Sequence, residues 1–171
     1  MIKILNILRK INTISALAGA SLYALMTGVC FLQVVMRYFF ESALQWPEEC
    51  ARFAFIWLAY LAFAISMFTK AHLRVDALVI RFPLLAQRII EAINMLISAV
   101  FCFYIAWLAL EMIEVVRESE ITAMTMPIPL ALVWLSIPVG FTLSGIYALF
   151  YSVCLFSGRL TVEDKNEEVL I

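Results

Sequence analysis

Four long apolar runs without a charged residue constrain this chain more than any other feature of its sequence. They are Ile11–Met36, Phe53–Thr69, Ala92–Leu110 and Ile121–Gly158. A helix needs about 20 mostly apolar residues to cross a hydrocarbon core of ~30 Å. The chain is 65% hydrophobic and only 15% charged, whereas a soluble domain carries about 25% charged residues. The sequence therefore predicts an all-α integral membrane protein with four transmembrane helices.

Charges and prolines at the edges of the runs predict helices over about residues 11–37, 47–70, 88–118 and 129–157. The first run continues far beyond the cleavage-like triplet Ala16-Leu17-Ala18, so we expect this helix to be retained rather than removed as a signal peptide. Pro127 and Pro129 mark the start of the fourth helix. Pro138 inside that helix predicts a kink, because proline lacks the N–H and clashes with the preceding turn. Residues 1–160 are predicted to form one membrane domain, followed by a tail over 161–171.

The distribution of lysine and arginine predicts the orientation. Nine of these residues flank one side of the predicted bundle, at both termini and between helices two and three, against three on the other side, Arg37, Arg52 and Arg117. Basic residues are enriched in cytoplasmic loops, so both termini are expected in the cytoplasm. A net charge of −1 without a basic patch gives no support for a nucleic-acid partner.

Two connecting segments have helical periodicity. In Arg74–Phe82 the apolar residues recur at helical spacing, which predicts a short amphipathic helix at the membrane interface. A docking helix for a partner is the alternative. In Glu111–Glu120 the residues Glu111, Glu114 and Glu118 share one face, which is typical of a solvated extension of helix three or of an acidic contact surface.

The interiors of the four predicted helices contain no Asp, Glu, Lys, Arg or His. A charge at the bilayer centre costs about 3 kcal/mol or more and, where present, usually marks an ion or substrate path. The single histidine, His72, cannot form the bis-histidine haem site of a redox anchor subunit. The four cysteines form no CxxC pair and are expected to be buried apolar side chains. We therefore predict neither an enzyme nor a resident cofactor. A redox anchor subunit and a free-standing small transporter are the competing interpretations.

The densest polar cluster, Trp46-Pro47-Glu48-Glu49-Cys50-Ala51-Arg52, lies at the predicted start of helix two. Proline suits the first helical turn, and acidic residues there face the positive end of the helix dipole. Arg52 lies four residues after Glu48 and three after Glu49, so it can pair with either one. The cluster is either a charge-balanced helix start or a polar site partly buried against a partner subunit.

This cluster, Trp46-x-Glu48-Glu49-x-x-Arg52, resembles the signature of the DctQ-like small membrane subunits of tripartite ATP-independent periplasmic (TRAP) transporters. Further pieces follow the same order along roughly residues 30–145. They are Gln33 to Arg37 and Tyr38 at the end of helix one, His72 to Asp76 after helix two, Thr122 and Pro127–Pro129 before helix four, and Pro138 to Gly140 within it. Similar sequences often have glycine midway along helix two, where this chain has Ala62 and Ala64.

The resemblance implies a four-helix small subunit that binds a large TRAP membrane subunit. That partner would carry the substrate and sodium sites and work by an elevator motion, while this chain acts as a static scaffold in the bacterial inner membrane. A periplasmic substrate-binding protein would deliver an organic acid anion of the sialic acid or C4-dicarboxylate type. Trp46, Glu48, Glu49 and Arg52 are the expected subunit-interface cluster. Membrane lipids are the remaining expected partner.

Overall fold

The computed structural model describes residues 2–41, 44–69, 83–119 and 122–157. The predicted amphipathic segment Arg74–Phe82, the predicted tail 161–171, and the motif positions His72 and Asp76 lie outside the described residues.

Helices form nearly all of the described part of the chain. α1 covers Ile2–Phe39, α2 Trp46–Phe68, α3 Leu84–Glu118, α4 Leu130–Trp134 and α5 Ser136–Phe156. α4 and α5 follow each other within one apolar stretch, Leu130–Phe156, so four stretches are long and apolar enough to cross a membrane. The predicted all-α fold with four membrane-spanning helices is confirmed.

α1 and α3 are longer than the apolar runs from which they were predicted. α1 has 38 residues and α3 has 35, which corresponds to about 57 and 52 Å at ~1.5 Å per residue. Lysine, arginine and glutamate are good helix formers, so a charge ends the apolar run without ending the helix. Both helices therefore extend beyond a hydrocarbon core of ~30 Å. In the extension of α3, Glu111, Glu114 and Glu118 are all exposed.

The fourth span is interrupted just before Pro138, between α4 and α5. Proline has no N–H, so the carbonyl of Trp134 loses its usual partner four residues later. Helical hydrogen bonding continues on both sides of the interruption. The amide of Leu135 donates to the Ala131 carbonyl at 3.0 Å, and the amide of Val139 donates to the Leu135 carbonyl at 3.3 Å. The interruption at Leu135 is therefore local, since its backbone angles stay helical, and the kink expected from the sequence stays a prediction.

The four spans pack mainly in the order first, second, fourth, third. α1 packs against α2, α2 against α5, and α5 against α3. The first and third spans thus lie at the two edges of the arrangement. A buried cluster draws on the start of α1, the end of α2, the first half of α3 and the second half of α5, as expected for antiparallel neighbours. Its members are Leu8, Ala64, Met67, Ala99, Tyr147 and Ala148.

At Gly140, α5 lies in close contact with α2. A Cβ atom built on Gly140 would lie 2.7 Å from the Cβ of Tyr60 and 2.8 Å from its carbonyl oxygen. Such distances leave no room for a methyl group. In α2 itself, Ala64 is fully buried and Ala62 is exposed. The glycine that allows close packing here is therefore in the fourth span, although the resemblance suggested glycine in the second.

Side-chain hydrogen bonds of Tyr151 and Ser152 join neighbouring spans in the described part of the chain. The Tyr151 hydroxyl donates to the Phe68 carbonyl at 3.0 Å, and the Ser152 hydroxyl donates to the Ala92 carbonyl at 2.9 Å. By contrast, Ser144 donates within its own helix, to the Gly140 carbonyl at 2.8 Å. Lipid tails are as apolar as the helix surfaces, so the hydrophobic effect does little to hold membrane helices together. Hydrogen bonds of this kind contribute to their association instead.

Candidate functional site

The first turn of α2 carries the polar cluster predicted from the sequence. Pro47 occupies the first turn and its side chain is fully buried, whereas Trp46 is half-buried. Glu48 and Glu49 follow in the same turn, where the positive end of the helix dipole favours carboxylates. The local sequence therefore both starts the helix and anchors its first turn.

Arg52 pairs with Glu48. The Nη2 atom of Arg52 lies 3.1 Å from Oε1 of Glu48, one helical turn earlier, and the two side chains are 63% and 71% exposed. An ion pair this exposed contributes less than about 1 kcal/mol to stability. In the isolated chain the pair therefore balances charge at the surface, and its predicted role at a subunit interface stays a prediction.

Glu49 makes the long-range contacts of the cluster. Its Oε1 atom accepts a hydrogen bond from the amide of Met124 at 3.0 Å, and its Oε2 atom accepts one from the amide of Thr125 at 2.8 Å. The Thr125 hydroxyl also donates to Oε2. Two successive amides and a hydroxyl that converge on one carboxylate form a small anion-binding nest. One side chain of the second span thereby holds the connection between the third and fourth spans.

That connection is a tight turn, called here the 122–129 hairpin. Thr122 and Pro129 form an antiparallel bridge, and the amide of Ala123 donates to the carbonyl of Ile128 at 3.0 Å. Met124, whose amide donates to Glu49, is 99% exposed. The Glu49 contacts thus fix the shape of a loop that presents an apolar side chain to its surroundings.

The sequence did not predict the bond between Glu49 and the 122–129 hairpin. Glu49 and Thr125 are 76 residues apart, and no spacing rule joins a helix start to a loop so far away. The sequence did contain evidence that the two segments are close, because antiparallel spans bring the start of α2 and the turn before α4 to the same end of the helix bundle. The resemblance had also marked both segments.

The site positions Gln33, Arg37, Pro138 and Gly140 lie in other helices. Gln33 is half-buried and Arg37 is exposed, both near the end of α1. Pro138 and Gly140 are buried near the start of α5. The structure thus places Trp46, Glu48, Glu49 and Arg52 in the first two turns of α2, beside the hairpin that carries Thr122 and Pro129. Among the described hydrogen bonds and ion pairs, none joins Gln33, Arg37, Pro138 or Gly140 to this cluster.

The described residues hold no grouping typical of catalysis or metal binding. No set of three or more His, Cys, Asp or Glu side chains converges among them. All four cysteines are free thiols. Cys102 and Cys154 are buried as expected and Cys50 is half-buried, but Cys30 is exposed, so the expectation of burial was wrong for Cys30. Among the described residues, Tyr151 and Ser152 join neighbouring spans and Glu49 holds the 122–129 hairpin. These features define a class: a four-span helical membrane protein with a structural polar cluster at one end.

Comparison with known proteins gives the family. The sequence profile of the tripartite ATP-independent periplasmic transporters, DctQ component, matches residues 26–158. The chain belongs to this family, which is a family of transporters and not of enzymes. It is accordingly a small TRAP permease component and a multi-pass protein of the inner membrane. The resemblance inferred from the sequence is confirmed.

Three curated relatives illustrate the similarity. A putative TRAP transporter small permease protein from Haemophilus influenzae is 35% identical over 95 residues, 56% of this chain and 59% of the relative. The isethionate TRAP transporter permease protein DctMQ from Oleidesulfovibrio alaskensis is 30% identical over 63% of this chain and 17% of the relative. The C4-dicarboxylate TRAP transporter small permease protein DctQ from Rhodobacter capsulatus is 26% identical over 75% and 51%. The chain thus matches less than two thirds of the length of each.

Proposed function

We propose that this chain is the static scaffold subunit of a sodium-driven TRAP transporter for organic acid anions. A large membrane subunit would carry the substrate and sodium sites, and this chain would hold the stationary part of that subunit in the bilayer. No cofactor is assigned to this chain itself.

The proposal rests on where the polar side chains of the spans lie and on what they bind. The apolar runs of the four spans contain no Asp, Glu, Lys, Arg or His, and Tyr151 and Ser152 tie neighbouring helices together. A carrier that moves an anion and sodium ions needs charged or polar groups along its path. This arrangement favours a subunit that braces a partner over one that transports by itself.

A long relative supports the pairing with a large subunit. The portion of the isethionate permease protein DctMQ that matches this chain is only 17% of that polypeptide. In that relative a counterpart of this chain is therefore joined to a much larger permease part. For this chain we propose the same association between separate polypeptides.

The proposed substrate is an organic anion of the sialic acid or C4-dicarboxylate type. The relatives' names include isethionate and C4-dicarboxylate, which share an acidic group on a small organic body. No described residue of this chain selects among them, because the specificity residues would lie on the large subunit and on a periplasmic substrate-binding protein.

The proposed orientation has both termini in the cytoplasm, which follows from nine basic residues against three. The start of α2 and the 122–129 hairpin would then face the periplasm. There they could contact the large subunit or, transiently, the substrate-binding protein.

Purification and reconstitution test this proposal. The chain is expressed with its cognate large subunit and purified through a tag on this chain only. We expect stoichiometric recovery of the large subunit and sodium-dependent uptake by proteoliposomes that hold both. Uptake by this chain alone would establish a free-standing transporter, and haem absorbance in the purified chain would favour the redox anchor interpretation.

A further inference from the structure

The last turn of α1 is exposed on every side. Arg37, Tyr38, Phe39 and Phe40 follow one another, and the amide of Phe40 donates to the Met36 carbonyl at 3.3 Å, so Phe40 continues the turn. The three aromatic residues are 75%, 82% and 66% exposed, and Arg37 is exposed as well. Successive residues of a helix point about 100° apart, so these four side chains surround the helix. The described part of the chain therefore leaves the whole turn uncovered.

This turn lies where α1 reaches the lipid headgroups. Lys10 and Arg37 enclose the uncharged run Ile11–Met36 and are 27 residues apart, which corresponds to ~40 Å of helix at ~1.5 Å per residue. A bilayer measures about 40–45 Å when its headgroup regions are included. When both charges lie outside the hydrocarbon core, each one is therefore in a headgroup layer. In the proposed orientation, Arg37 lies in the periplasmic leaflet.

The side chains of this turn suit that layer chemically. Tyrosine is enriched at membrane–water interfaces, and phenylalanine is typical of the apolar face of helices that lie there. Arg37 forms no ion pair with another described residue, not even with Glu41, four residues later, whose φ of 51° follows the end of the helix. A guanidinium group can bind a phosphate through two parallel N–H···O bonds. The turn therefore combines aromatic rings with a cation that is available for a phosphate.

A lipid surface fits this turn better than a protein partner does. A partner helix packs on one side of α1 and would leave the side chains on the other sides uncovered. The headgroup layer surrounds the helix, so it contacts all four side chains together and supplies phosphate groups at the depth of Arg37. Removal of the aromatic surface from water is favourable around the whole turn.

We propose that the last turn of α1, with Phe40, is a phospholipid-binding anchor in which Arg37 binds the lipid phosphate and the three aromatic rings lie beside the glycerol backbone. This assignment gives a role to Arg37 and Tyr38, two motif positions that the polar cluster of α2 leaves unexplained. The anchor sets the depth of the first span, which lies at one edge of the helix arrangement. The inference goes beyond the proposed scaffold function and does not depend on it.

Site-specific photo-crosslinking tests the anchor. The chain is reconstituted into vesicles of phosphatidylethanolamine and phosphatidylglycerol with benzoylphenylalanine in place of Phe39. The matched control has the same probe in place of Phe31, which is 70% exposed and lies within the uncharged run. Mass spectrometry of the lipid adducts should locate the Phe39 crosslink near the glycerol backbone and the Phe31 crosslink far along the acyl chain.

A change of charge tests the role of Arg37. Arg37→Gln should lower the yield of lipid adduct at Phe39 about fivefold, which corresponds to the ~1 kcal/mol that one basic residue contributes near a lipid surface. Arg37→Lys should retain most of the yield, because an ammonium group also binds phosphate. Arg52→Gln is the control, since Arg52 already pairs with Glu48 at 3.1 Å, and it should leave the yield unchanged. An unchanged adduct at Phe31 in each variant shows that the chain still spans the bilayer.

Three results would overturn the inference. Lipid adducts at Phe31 but none at Phe39 would place the turn in water. Crosslinks from Phe39 to the large subunit in a co-purified complex would show that a protein covers the turn. An undiminished yield in Arg37→Gln would show that no phosphate is bound there. Recovery of the large subunit by the wild-type chain is measured separately, so failure of the anchor and failure of the scaffold proposal are distinguishable.

Discussion

Glu49, in the first turn of α2, accepts hydrogen bonds from both the amide and the hydroxyl of Thr125, 76 residues further along the chain. Its other carboxylate oxygen accepts a hydrogen bond from the amide of Met124. The second span thereby controls the shape of the turn between the third and fourth spans. In a proposed scaffold, α2 would in this way stabilise the connection between the third and fourth spans.

Glu49→Gln is expected to loosen the 122–129 hairpin. An amide has one acceptor oxygen in place of two, and its NH2 group would face the N–H of Thr125 or Met124. We expect amide hydrogen exchange at these two positions to become about tenfold faster, because local opening becomes easier. Hydrogen–deuterium exchange with mass spectrometry of the detergent-solubilised chain measures this change.

Glu48→Gln is the matched control, since it removes only the exposed pair with Arg52. Its effect on stability should stay below about 1 kcal/mol, and exchange in the hairpin should not change. Equal exchange rates in the two variants would show that the carboxylate of Glu49 does not hold the hairpin.

Gly140→Ala is expected to destabilise the protein by about 1–3 kcal/mol, the usual cost of an added methyl group in a packed interior. The new Cβ atom would lie 2.7 Å from the Cβ of Tyr60 and 2.8 Å from the Tyr60 carbonyl oxygen, and backbone atoms cannot rotate away. Gly28→Ala is the control, because no heavy atom lies within 4 Å of the corresponding position. Thermal unfolding in detergent should separate the two variants, and a Gly140→Ala protein as stable as wild type would contradict the close packing of α2 on α5.

Ser152→Ala is expected to cost about 0.6 kcal/mol, the average for a hydrogen bond between membrane helices. The change removes the hydroxyl that donates to the Ala92 carbonyl at 2.9 Å and leaves the backbone of α3 as it is. Ser98→Ala removes a hydroxyl that bonds only within its own helix and should cost less. Denaturant titration of both variants measures the difference, and a larger loss for Ser98→Ala would argue against the contact between α5 and α3.

The proposed orientation predicts where an introduced cysteine reacts. Met124→Cys places a thiol at a position that is 99% exposed in this chain. A membrane-impermeant maleimide added to intact spheroplasts should label it, whereas a cysteine in the tail at Asn166 should react only after the membrane is opened. The reverse pattern would place the termini in the periplasm.

Much of the fold followed from the sequence because lipid imposes simple rules. Uncharged runs predict the spans, and Pro129 and Pro138 predict the start and the interruption of the fourth one. The start of α1 was placed too late because Lys3, Arg9 and Lys10 end the apolar run but are compatible with a helix. Local features could therefore be predicted from the sequence wherever a single physical cause determined them.

Contacts between residues far apart in the sequence could not be predicted in this way. The spacing of Arg52 allowed two partners, and only the structure shows the contact with Glu48. The contact of Glu49 with Thr125 depends on how the spans pack, as does the approach of Gly140 to Tyr60. These relationships arise from tertiary packing, on which the period of the hydrophobic pattern carries no information.

The central claim, that this chain stays rigid while its partner moves, is tested most directly by distance measurements within it during transport. Spin labels at Leu25 in α1 and Val153 in α5, both exposed positions, report the distance between the first and fourth spans by pulsed electron paramagnetic resonance. In the reconstituted complex this distance should change by less than about 2 Å, no more than a small helix shift, when sodium and substrate are added. A larger change on their addition would show that the chain takes part in the transport motion and would contradict the scaffold proposal.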